Sequence, residues 1–123
     1  MAATQRAERL RIDTRLAILE NVKALSRQLD TALKGNQIES AKQIQENISA
    51  LHDQLDELSQ ISLDTLEDSD EVKQTIAQLR HSADDLEDEA DTITDLANAL
   101  RKGAEIVQKG TEIVATLKGL IPF

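Results

Sequence analysis

Residues 72–114 read VKQTIAQLRHSADDLEDEADTITDLANALRKGAEIVQKGTEIV, and their spacing decides the fold class. Val72, Ile76, Leu79, Ala83, Leu86, Ala90, Ile93, Ala97, Leu100, Ala104, Val107, Thr111 and Val114 follow one another in alternating steps of four and three. That rhythm is the seam of a helix packed in a left-handed coiled geometry. One row of the seam (Ile76, Ala83, Ala90, Ala97, Ala104, Thr111) is mostly small, which predicts a tight, antiparallel neighbour.

Upstream, Ile12, Leu16, Leu19, Val22, Leu25, Leu29 and Leu33 rise at an average spacing near 3.5, and Ile18 widens the apolar face. They predict a helix over about 4–34 that ends at Lys34-Gly35-Asn36, with Gly35 supplying positive φ. Asn36 and Glu39 have the form of a capping box for a second helix over about 37–62. Its seam is Ile38, Ala41, Ile44, Ile48, Leu51, Leu55 and Leu58.

Between Ser59 and Glu71 there is no glycine or proline, only Ser, Thr and Asp to favour a turn. Asp64 with Glu67, or Asp68 with Glu71, would cap a third helix over about 69–120. Counting in sevens from Ala41 reaches Ile76 without a slip, so one unbroken helix from Gln37 onward is the competing reading. The expected architecture is all-α: an antiparallel three-helix bundle or long helical coiled coil with an extended C-terminal helix, forming one domain over 1–123.

A third helix of ~50 residues spans ~75 Å, longer than its companions. Its far end therefore either projects past the bundle or bends back at Gly103. There, Lys102-Gly103-Ala104-Glu105-Ile106-Val107-Gln108 is echoed by Lys109-Gly110-Thr111-Glu112-Ile113-Val114-Ala115. A second apolar stripe opens at Ala99, Ile106, Ile113 and Leu120. The expected partner-binding face comprises Ala99, Gly103, Ile106, Val107, Gly110, Ile113, Val114, Leu117 and Leu120.

Composition excludes several functions. There is no cysteine, so disulfides and thiolate metal sites are absent, and a cytoplasmic location is expected. Met1–Leu10 has no apolar run and is not expected to act as a secretory signal, and no apolar stretch of membrane length is present in residues 1–123. The net charge of −9 is uneven: residues 1–34 carry +3 and residues 68–99 carry −8. Scarce basic groups, and no aromatic before Phe123, argue against nucleic acid as a partner.

The run Asp84, Asp85, Glu87, Asp88, Glu89, Asp91 and Asp95 reads as a solvated helix face, because one straight helix cannot surround a cation. His52 and His81 lack the further ligands of a metal site. Arg6, Arg9, Arg11 and Arg15 are expected to pair internally with the acidic third helix. No nucleophile–base pair or phosphate loop appears, so the chain is predicted to be non-enzymatic, with no cofactor and no metal.

Two functions follow. The first is an interaction or assembly protein whose C-terminal helix (about 99–121) meets a protein partner or another copy. The second is a membrane-surface or membrane-active bundle using the same amphipathic helix. Lys102, Lys109 and Lys118 are offset by Glu105 and Glu112, which favours protein over lipid.

Overall fold

A computed structural model describes residues 2–121. Its helices are α1 (Ala3–Lys34), α2 (Ile38–Gln60), α3 (Asp70–Asp91) and α4 (Leu96–Gly119), with no strand among the described residues. The all-α class is as expected. The three-helix count is corrected to four, because the long third helix is interrupted at residues 92–95.

That interruption has neither glycine nor proline. The hydroxyl of Thr92 donates to the carbonyl of Glu89 at 2.7 Å, closing α3. Asp95 then caps α4, its carboxylate accepting from the Asn98 amide at 2.8 Å. The turn also shifts the seam. α3 buries Val72, Ile76, Leu79, Ala83, Leu86 and Ala90 in the expected rhythm, whereas Ala97, Ala104 and Thr111 are exposed. α4 instead buries Ala99, Gly103, Ile106, Gly110, Ile113 and Leu117, again in steps of four and three. The C-terminal segment therefore folds back as a fourth helix.

The α1–α2 turn falls where expected but is built differently. Asn36, not Gly35, takes positive φ (58°). The Gln37 amide donates to Ala32 and the Asn36 amide to Leu33, a Schellman closure with asparagine in the left-handed position. The N-cap of α2 is Gln37, without a side-chain bond, so the predicted capping box does not form.

A turn separates α2 from α3, and Ser69, rather than Asp64 or Asp68, caps α3 through the Val72 amide at 3.2 Å. Asp68 has another use: its carboxylate accepts from the Ala3 amide at 3.0 Å and fixes the start of α1.

The 61–69 connector, pinned by buried Ile61, Leu63 and Leu66, crosses the end of the bundle. As a result α1 packs on both α2 and α3, α4 packs on both α2 and α3, and the backbones of α2 and α3 do not approach closely. α1 runs parallel to α3, as shown by Ala3 beside Asp68, Asp13 beside Arg80 and Asn21 beside Leu86. α2 likewise runs parallel to α4. Across the remaining diagonal α1 and α4 meet directly, which small side chains on both helices permit.

Candidate interaction surface

α1 carries two apolar stripes, and the structure uses the smaller one internally. Ala3, Ala7, Leu10, Thr14, Ala17, Asn21 and Ala24 follow in steps of four and three, and all are buried. Short side chains bring α1 close to its neighbours, and close packing maximises dispersion contacts per residue. Asn21 sits within this stripe, fully buried, and donates to the backbone carbonyls of Leu86 at 2.7 Å and Ala17 at 2.9 Å.

The larger stripe expected to form the seam of α1 points the other way. Ile12 is 57% exposed, Leu16 50%, Leu19 36% and Leu33 54%. Val22 and Leu29 are half-buried, and Leu25 belongs to the core. Where this stripe reaches the α1–α2 turn it meets Ile38, 59% exposed, and together they border a shallow groove. Leu29, Leu33, Ile38 and Ala41 line it, with Lys42 and Gln45 alongside. Among the described residues, every large aliphatic side chain that stands exposed lies on α1 or on the first residue of α2.

The C-terminal residues expected to bind a partner occupy the interior instead. Ala99, Gly103, Ile106, Gly110, Ile113, Val114 and Leu117 are buried, while Val107 and Leu120 are half-buried against the core. The glycine track is a close-approach surface for α2. A Cβ on Gly103 would collide with the Asn47 amide, and one on Gly110 with the Gln54 amide. Gln54 Nε2 donates to the Val107 carbonyl at 2.8 Å and to the Thr111 hydroxyl at 3.1 Å, so it holds α4 by its backbone.

Arg11 is used differently from the expected pairing of α1 arginines with α3 carboxylates. Arg11 donates to the backbone carbonyl of Ile61 at 2.6 Å and pairs with Glu8 at 3.7 Å. The pair joining Arg80 to Asp13 at 3.4 Å runs in the opposite sense, from an α3 cation to an α1 anion.

Most of the acidic run of α3 is exposed, as expected, but Glu89 is drawn inward. It takes Lys109 at 3.0 Å and Lys102 at 3.8 Å, clamping the α3–α4 hairpin. The hydrogen bond that Lys109 donates to Glu89 holds its ammonium above the usual lysine range. His52 and His81 are exposed on different helices, and no described group of three or more His, Cys, Asp or Glu could hold a metal ion. No described helix is long and apolar enough to cross a membrane.

Residues 5–99 match the family described as mating-type protein beta 1. The chain belongs to that family. The matched region takes in nearly all of α1 with its outward stripe, both α2 and α3, and the opening of α4. Comparisons with curated proteins and with solved structures give no match.

Proposed function

We propose that this chain is a non-enzymatic interaction module, a helical platform through which a mating-type protein engages a protein partner in a cytoplasmic setting. One observation carries the reading. Ile12, Leu16 and Leu19 are large, aliphatic and spaced like a coiled-coil seam, yet they stand in solvent. A lone exposed leucine needs no explanation, but an aligned patch of them on one helix marks a binding face. The burial of Ala99–Leu117 moves the proposed face from α4 to α1, and the absence of cysteine supports a reducing location.

A second reading, docking on a membrane surface, is favoured by Arg9, Arg15 and Lys23 beside the stripe, since interfacial helices carry basic polar faces. Glu8 and Glu20 lie beside it too and weaken that reading.

The test compares the parent with Leu16→Asp in a selection for interacting proteins and in flotation with anionic vesicles. Protein partners that are lost in the variant, while its helix content by circular dichroism stays intact, support the module. In the bound state, amide exchange should slow along α1 between Arg9 and Lys23. Vesicle binding lost in the variant, with no such protein partner, supports the membrane reading. A partner set indifferent to the substitution removes α1 as the interface.

A further inference from the structure

We infer that the partner of the α1 stripe is an acidic amphipathic helix from a different protein, its carboxylates received by a basic groove between α1 and α3. This rests on the interaction-module reading and specifies the chemistry of its partner.

The groove encloses about 220 Å³ and is lined by Arg6, Arg9, Lys73, Ile76, Ala77 and Arg80. Four cations converge there on a chain whose net charge is −9. At the rim Arg80 pairs with Asp13 at 3.4 Å and Lys73 with Asp68 at 3.4 Å. A shallower hollow beside it adds Asp70 and Gln74. Exposed pairs of this kind are weak, and both cations keep further N–H donors to offer a ligand.

Groove and stripe are continuous. Arg9 lines the groove and stands one helical turn before Ile12 on α1. On the other flank Arg15 lies one turn beyond Ile12 and four residues before Leu19; Glu8 and Glu20 interrupt these flanks but leave residues 1–34 at a net +3. A helix laid along α1 would set its apolar residues on Ile12, Leu16 and Leu19 and carry its flanking side chains over these cations. Complementary flanking charges are what select a helical partner and its register.

A second copy of this chain does not fit. The exposed large aliphatic residues of a copy are confined to α1 and Ile38, so its acidic α3 face brings no apolar counterpart to the stripe. Pairing α1 with α1 would oppose two segments that each carry +3.

The experiment titrates the full chain with two designed helical peptides of equal length. Both carry leucine on a heptad seam, one flanked by glutamate and the other by lysine. The glutamate peptide should bind at least ~10-fold tighter at low salt, and the preference should shrink at high salt as the charges are screened. Arg9→Glu with Arg15→Glu should reverse the preference, and Leu16→Asp should weaken both peptides.

Equal binding of the two peptides overturns the inference. If Leu16→Asp still weakens both in that case, the interaction-module reading survives its failure. Binding of neither peptide also overturns it, as does self-association of the peptide-free chain that Leu16→Asp abolishes, which would make a second copy the occupant.

Discussion

Ala17 is fully buried, whereas Leu16, its neighbour on α1, keeps half of its surface in solvent. The larger apolar side chain is outside and the smaller one is inside. This inversion separates what α1 needs for its own fold from what it can offer a partner.

It leads to opposite outcomes at adjacent positions. Ala17→Leu inserts bulk into the close contact between α1 and its neighbours and should cost ~1–3 kcal/mol. Leu16→Gln leaves the core alone and should stay within ~0.5 kcal/mol of the parent. Urea denaturation of both variants gives the comparison. Equal costs would mean that Leu16 contributes to the fold as much as Ala17 does.

The contact between Gly110 and Gln54 sets up a second test. A helix-interior glycine normally gains ~1 kcal/mol on replacement by alanine. Here the new methyl group displaces the Gln54 amide from Val107 and Thr111. Gly110→Ala should therefore destabilise the parent, yet stabilise the chain when Gln54 is already alanine. A double-mutant cycle by thermal unfolding reads the sign change.

Asn21 makes the bundle sensitive to a change of one functional group. Asn21→Asp replaces an amide donor facing two backbone carbonyls with a carboxylate that can donate only when protonated. The cost near neutral pH should be ~3 kcal/mol or more. Burial raises the pKa of such a carboxyl, so the deficit should grow as pH rises through the carboxylate range and fade below it. A deficit that does not change with pH would show that water or local rearrangement reaches the site.

Asp68 titrates in the opposite direction. Its carboxyl is held below the usual range, first by the Ala3 amide and then by Lys73. Because the folded-state pKa is depressed, its contribution is complete above the ordinary aspartate pKa of ~3.9 and is lost as pH falls through the folded value. Asp68→Asn should flatten the acid limb of the stability curve and speed amide exchange in the first turn of α1. If exchange there is unaffected, the bond from Ala3 does not persist in solution.

The helical class, the α1–α2 turn and the seam from Val72 to Ala90 were legible because large apolar residues there mark the buried face. α1 misled for the same reason. Ala3, Ala7, Leu10, Thr14, Ala17, Asn21 and Ala24 keep the four-and-three rhythm as faithfully as the leucines, but alanine is a faint apolar signal, and threonine and asparagine count against burial. The break at residues 92–95 was hidden by a heptad that continues through it, although Asp95 three residues before Asn98 had the form of an N-cap. The interior use of Gly103 and Gly110 depends on which side chains of α2 arrive opposite them, and spacing along one helix does not contain that information.

The crossing of the 61–69 connector also governs how the chain bears load. It brings the start of α1 beside Asp68 and the last turns of α4 beside Glu57, so both lie at one end of the bundle. Tension applied between those points pulls across the helix axes and opens the bundle one turn at a time, instead of shearing whole seams at once. Under force such a molecule yields by peeling, as a zipper does when drawn from its open end.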